Sequence, residues 1–284
     1  MNTVIIVIPI YKSLPDEYEK VSFRQCLKVL SKHHICILTF KSLNIDYYVN
    51  LLKEYNAIFL IEYFDAKYFK NIQGYNNLMM SKNFYKRYSK YKYMLIYQLD
   101  AYVFRDELDF WCEQGYDYIG APWFEGYANY FSDNILGVGN GGFSLRKISS
   151  FLSIWKLKNY VKIRKSNKIL YTEYIERNKN RNLYKKFRSL IYFILQVLGV
   201  KNNPFFFINQ NNINEDVFWC MFLPKYLNYF KISSVKDAVS FGFEFNPSFL
   251  YKKNSNKLPF GCHAWWRYDL NFWKPFIESQ DNDT

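Results

Sequence analysis

Short runs of β-branched and aliphatic residues alternate with helix-spaced segments, and this alternation constrains the fold more than any other feature. Val4-Ile5-Ile6-Val7-Ile8 is such a run, stopped by Pro9. Val21 to Lys32 follows, with Phe23, Cys26, Leu27 and Leu30 at helical spacing. Ile35-Cys36-Ile37-Leu38 reads as a second strand and Ala57 to Ile61 as a third. Asn76 to Tyr88 carries Leu78, Met79 and Tyr85 in helical register and leads into Tyr93-Met94-Leu95-Ile96-Tyr97. Runs that are apolar throughout suit strands covered on both faces. The alternation predicts a parallel sheet with helices on both sides. Beyond Asp106, Tyr116 to Gly120 and Gly142 to Leu145 read as short strands between Gly and Pro turns, so the sheet is expected to become mixed.

The strand ending at Tyr97 runs straight into Gln98-Leu99-Asp100. In open α/β sheets, ligands bind beyond the carboxyl ends of the strands. A carboxylate at that place can hold a divalent metal, and the metal a diphosphate. The plain alternative is an Asp that starts the next turn.

At 284 residues, half of them hydrophobic, the chain is expected to form a single domain spanning 1–284. The net charge of +13 has two readings. One is Lys accumulated on solvated faces. The other is a partner of opposite sign, such as a phosphorylated substrate or an anionic membrane. No nucleic-acid-binding motif accompanies the charge, so nucleic acid is not expected as a partner. Cys26, Cys36, Cys112, Cys220 and Cys262 are scattered without any CxxC pair, which excludes a zinc framework or disulfide scaffold. Each reads as a small buried apolar residue in a reducing compartment. The N-terminus has no basic region or cleavage site and reads as a first strand, so a cytoplasmic protein is expected.

Residues 156–203 stand apart as a basic, helical insertion within the domain. They hold roughly a dozen Lys and Arg against Glu173 and Glu176. Lys185-Lys186-Phe187-Arg188 precedes the apolar run Leu190 to Leu195. This pattern suits an interfacial element that places the protein peripherally on the inner face of a membrane. It equally suits a helix whose apolar side packs on the body. The apolar part is too short to span a bilayer.

Four motifs follow one another: Gln98-Leu99-Asp100, Gly139-Asn140-Gly141-Gly142, Asn214-Glu215-Asp216 and Gly261-Cys262-His263. The glycines suit a tight turn or a close backbone approach to a sugar or phosphate. Glu215 and Asp216 suit the first turn of a helix, or a base that takes a proton from a hydroxyl. His263 suits a satisfied core histidine or a metal ligand.

In this order the four motifs resemble the core of GT-A fold glycosyltransferases. The likeness is closer still to a bacterial family of uncharacterised GT-A-like transferases. It is carried by Gly74-Tyr75-Asn76, Phe84-Tyr85, Tyr97-Gln98-Leu99-Asp100-Ala101 and Trp111. Further along it is carried by Tyr118-Ile119-Gly120-Ala121-Pro122-Trp123, Gly139 to Arg146, Glu215-Asp216 and Phe260 to Trp265. The resemblance implies a nucleotide-diphospho-sugar transferase fold, Rossmann-like, with a mixed sheet flanked by helices. It implies an inverting, metal-assisted transfer from a nucleotide-sugar donor to a glycan or lipid-linked acceptor in surface polysaccharide or glycan synthesis.

The same resemblance implies residue roles. Asp216, with Glu215, is the catalytic acid pair, and Asp100 with His263 holds Mn²⁺ or Mg²⁺. Pro9, Ile10, Tyr11, Tyr75 and Asn76 contact the nucleotide. Gly139, Asn140, Gly141 and Gly142 approach the donor, and Trp123, Trp265 and Trp266 offer faces to sugar rings, with bulky core packing the equal alternative. The first acid of a DXD motif is Gln98 here, a poorer ligand than a carboxylate. If no metal is used, Lys82 or Arg146 is the candidate to neutralise the diphosphate. Competing readings are a sugar- or nucleotide-binding module without turnover and a membrane-surface adaptor.

Overall fold

The computed structural model describes residues 3–126, 132–211 and 213–281. The strands in chain order are β1 (Val4–Pro9), β2 (His34–Thr39), β3 (Phe59–Tyr63), β4 (Tyr93–Tyr97), β5 (Ala101–Val103) and β6 (Tyr118–Ile119). They continue with β7 (Ala121–Phe124), β8 (Ile135–Gly139), β9 (Phe143–Lys147), β10 (Gly242–Phe243) and β11 (Gly261–His263).

Among the described residues the largest sheet has the order β3-β2-β1-β4-β9-β6. Its first four strands pair in parallel, while β9 runs antiparallel to both β4 and β6. The fold is therefore α/β with a mixed sheet flanked by helices, as expected, and is consistent with a GT-A-like frame. The pleat sends successive side chains to opposite faces. Val4, Ile6 and Ile8 of β1 enter one core with Phe23, Leu27 and Tyr48. Ile5 and Val7 enter the other with Leu78, Phe84 and Phe151. Each fully buried aliphatic side chain contributes about 1.5–3 kcal/mol, so β1 is anchored from both sides.

Element boundaries differ from the sequence reading for identifiable reasons. The first helix is Glu17–Leu30, starting before the apolar periodicity because Asp16 and Glu19 form a capping box. The single helix expected over Asn76 to Tyr88 is two, Ile72–Met79 and Lys82–Arg87. Between them Ser81 takes an extended conformation (ψ 128°) and restarts the helix as its N-cap. The strand expected at Ala57 to Ile61 lies at Phe59–Tyr63, and those expected at Tyr116 to Gly120 and Gly142 to Leu145 lie at Tyr118–Ile119 and Phe143–Lys147.

A smaller sheet, β10-β11-β5, closes one end of the molecule. β4 belongs to the large sheet and β5 to the small one, so Gln98-Leu99-Asp100 forms the seam between them. β11 runs antiparallel to β5 with His263 opposite Ala101, which carries His263 to the seam. A third sheet pairs β7 with β8.

The segment 156–203 holds the helices Leu157–Lys162, Asn167–Asn178 and Leu183–Val197. Among the described residues no helix is long and apolar enough to cross a membrane. Cys26, Cys36, Cys112 and Cys262 are buried and Cys220 is half-buried, all as free thiols.

Candidate active site

A cavity of about 600 Å³ opens where β1 and β4 end. From β1 the sheet grows towards β2 and β3 on one side and β4 on the other. Such a switch point leaves a crevice beyond the strand ends. The size suits a small-molecule ligand. Pro9 and Tyr11 follow β1 into it, and Gln98 and Asp100 follow β4. Gly141, Gly142, Asp216 and His263 complete its floor.

On one side lies a charged chain. Asp100 Oδ1 is 3.1 Å from His263 Nε2, and Asp100 Oδ2 is 3.2 Å from Arg267 Nη2. His263 Nδ1 is 2.8 Å from Glu244 Oε1. Ala264, in the left-handed region at φ 52°, turns the chain so that its N–H donates to the Asp100 carbonyl at 2.8 Å. Burial opposes charge on His263, but the Asp100 and Glu244 carboxylates outweigh it and lift the pKa to about 10. Burial likewise pushes Asp100 up, and the His263 and Arg267 cations more than reverse this, holding it below the usual carboxylate range.

Among the described residues no group of three or more His, Cys, Asp or Glu converges as a metal site. A divalent ion implied by the resemblance therefore needs a third donor of another kind. Gln98 Oε1 supplies one, 3.3 Å from His263 Nε2 on the side of Asp100. The Glu244 carboxylate on Nδ1 is the outer partner that orients a ligating imidazole. One carboxylate, one amide oxygen and one imidazole fit such an ion, provided that the ion displaces the Nε2 proton.

On the other side lies the acid pair. Glu215 is 1% exposed and gives both oxygens to Arg146, at 2.8 and 3.0 Å. Both acids line the cavity, and Asp216 accepts from Gly141 N at 2.9 Å and Val217 N at 2.8 Å. Burial and the neighbouring Glu215 carboxylate raise its pKa to about 7. Two adjacent glycines separate the two sides. A Cβ on Gly141 would stand 2.8 Å from Glu215 Oε1 and 3.5 Å from Asp216 Oδ2. A Cβ on Gly142 would overlap the His263 ring. Gly142→Ala should thus displace His263 and cost about 1–3 kcal/mol in a denaturant titration. An unchanged midpoint would contradict this packing.

Asn140, at φ 103°, holds the turn by accepting from Gly142 N and Phe143 N at 2.8 and 2.9 Å. Asn76 lines the cavity while its amide ties Asn214 and the Glu215 N–H, each at 3.2 Å. Tyr75 also lines it.

Other residues named from the sequence lie elsewhere. Arg146 is wholly buried on Glu215, with Tyr85 Oη 3.1 Å away, and does not line the cavity. Lys82 is exposed at the start of its helix, outside the cavity. Trp123 and Trp265 are each 3% exposed. Trp265 donates its indole N–H to Ser22 Oγ at 2.9 Å, and a Cβ on Gly139 would run into the Trp123 ring. These two are packing residues, not sugar platforms, because their faces are covered. Ile10 is buried, and Trp266 stacks on Tyr18 at 5.3 Å. Sequence reasoning missed Glu244, Arg267 and Lys70, which line the cavity. Arg267 lies two residues beyond the Phe260-to-Trp265 string, the only signal it carries.

Solved structures that resemble this chain include core-mannan synthase A (CmsA/Ktr4) from Aspergillus fumigatus in its Mn/GDP form. The TM-score is 0.36 and the identity 11%, over 53% of this chain and 60% of that one. Another is a glycosyltransferase involved in the glycosylation of the major capsid of PBCV-1, with a TM-score of 0.41 and 10% identity over 98% of this chain and 99% of that one. No curated protein matches the sequence. The profile of one family, described as a protein of unknown function (DUF5672), matches residues 59–263, which take in both sides of the cavity up to His263. With well over half of its length matched, this chain belongs to the DUF5672 family.

Proposed function

We propose that this protein is a glycosyltransferase that moves a sugar from a nucleotide-diphosphate donor to a hydroxyl acceptor with inversion at the anomeric carbon. The observation that carries this reading is the pairing of unlike chemistries across Gly141-Gly142. A cavity-facing carboxylate of raised pKa stands on one side, and the Asp100–His263 pair on the other.

In this reading Asp216 takes the proton from the acceptor hydroxyl as its oxygen bonds to the anomeric carbon. The bond from that carbon to the diphosphate oxygen breaks, and its electron pair leaves on the diphosphate. A divalent ion held by Asp100, His263 and Gln98 would stabilise the charge on that leaving group. Arg267 and Lys70, on the same cavity, add fixed positive charge. Pro9, Tyr11 and Tyr75 offer the apolar surface that a nucleotide base needs. Glu215 has no direct part in the chemistry, since both of its oxygens are spent on Arg146.

Thermal stabilisation by nucleotides and nucleotide sugars, with and without Mn²⁺, tests the donor site. Ligand at about 100 times its Kd adds roughly 2.7 kcal/mol to the folded state. Asp100→Ala removes the only carboxylate of the Gln98-Leu99-Asp100 turn and should weaken donor binding in Mn²⁺ by tenfold or more. Unchanged affinity in that variant would remove Asp100 from the donor site. No stabilisation by any nucleotide, and no transfer or donor hydrolysis, would overturn the reading as a whole.

A further inference from the structure

The helix Leu183–Val197 is mounted the wrong way round for a helix that meets water. At 3.6 residues per turn, Leu183, Phe187, Leu190, Ile191, Ile194 and Leu198 fall within an arc of about 100°. All six are exposed, Leu183 at 86%, Phe187 at 61% and Leu198 at 68%. The fully buried residues of the helix are the polar Ser189 and Gln196, and Ser189 Oγ accepts from Asn178 Nδ2 at 2.9 Å, while Tyr192 and Phe193 are half-buried against Phe206 and against Tyr171 and Tyr174. A helix of a water-soluble surface shows the reverse arrangement. The alternative read from the sequence, an apolar side packed on the body, does not hold for this stripe, which is exposed.

We propose that this outward stripe is a docking face for an anionic membrane surface. Charge selects the occupant. Lys186 and Arg188 flank the two edges of the stripe, and Lys179 and Arg181, just before the helix, are exposed. The helix contains no Asp or Glu. Within 156–203, thirteen Lys and Arg face only Glu173 and Glu176. Of these, Arg164 is spent on the Gln196 and Val197 carbonyls and Lys165 on Glu173. A second copy laid on the same stripe would bring like charge against like charge. Anionic headgroups complement the cations while the acyl boundary takes up Phe187, Ile191 and Ile194. The helix lies on the surface and does not cross it.

Cosedimentation of the full chain with phosphatidylcholine vesicles, with and without phosphatidylserine, tests the proposal, and no step of it depends on glycosyl transfer. The protein should pellet with the anionic vesicles in preference to the neutral ones, and salt should release it. Phe187→Ser, Ile191→Ser and Ile194→Ser together should lower vesicle affinity tenfold or more with unchanged circular dichroism, since all three side chains are exposed. Lys186→Glu and Arg188→Glu together should abolish the preference for phosphatidylserine. Three results would overturn the proposal: no pelleting of the unaltered chain, equal binding to both vesicle types, or equal binding by the variants. A dimer in sedimentation velocity that becomes monomeric in the triple-Ser variant would assign the stripe to a second copy instead.

Discussion

Asp216→Asn should lower glycosyl transfer by about 10²–10⁴-fold while leaving donor binding close to that of the unaltered protein. Asn has the shape of Asp and no basicity, so it separates proton transfer from packing. Its side-chain oxygen can still accept from one of the two N–H groups, Gly141 or Val217, that Asp216 now satisfies. The lost hydrogen bond costs about 1 kcal/mol. Against this, the variant no longer ionises a buried group beside Glu215, so stability at neutral pH should change little. The pH profile carries an independent sign. Asp216 has a folded pKa of about 7, above the ordinary carboxylate value near ~4 of an unfolded chain. Transfer should therefore rise with pH through about 7 as the base is freed. Stability moves the other way, since the folded chain holds a proton between about 4 and 7 that the unfolded chain has released. This group's contribution therefore falls across that window and is level above it. Transfer rates and denaturation midpoints measured across the same pH range check both slopes. Full activity in Asp216→Asn would remove this residue as the base.

The parts of the molecule that were legible in the sequence are those whose signal is local. Tyr93 to Tyr97 and Val4 to Ile8 are apolar at every position, and runs this short and rich in β-branched and aromatic residues suit a strand covered on both faces. Asp100 was legible as a carboxylate at a strand end, and Asp216 as an acid at a helix start. What was not legible depends on contacts between distant segments. Glu244 and Arg267 are single charges among aromatic residues, and nothing in their spacing joins them to His263. Glu244 meets His263 because β10 pairs with β11, and His263 and Arg267 meet Asp100 because β11 pairs with β5, registers visible only in three dimensions. Trp123 and Trp265 read equally well as platforms or as core, and burial decided for core. The stripe on Leu183–Val197 has the same periodicity whether it faces inward or outward. Arg146 misled for a simpler reason: a strand arginine is ordinarily exposed, and this one is sealed against Glu215.

That sealed pair carries the second large expected effect. Arg146→Met should destabilise the fold by about 3–5 kcal/mol, because it leaves Glu215 buried without its counter-charge. Arg146 is 0% exposed and Glu215 1%, so neither can turn to water. Arg146→Met with Glu215→Leu should lose far less than the sum of the single changes, since apolar residues of similar volume replace a buried pair at little net cost. Denaturant unfolding of the four proteins of this cycle measures the coupling. Single losses under about 1 kcal/mol would show that the pair is not sealed as described. The pair also matters to the site. Arg146 Nη2 reaches the Gly141 carbonyl at 3.4 Å, and the Glu215 N–H donates to Asn76 Oδ1 at 3.2 Å. The dipeptide Glu215-Asp216 is thereby clamped, with its first acid held on Arg146 and its second on the Gly141 and Val217 N–H groups. Glu215→Gln keeps the shape of the clamp but removes the negative charge that helps to raise Asp216, while the Arg146 charge that lowers it remains. The acid limb of the transfer profile should therefore move to lower pH in that variant. An unmoved limb would mean that Glu215 does not set the basicity of its neighbour. A loss of activity at every pH would instead place Glu215 in the chemistry itself.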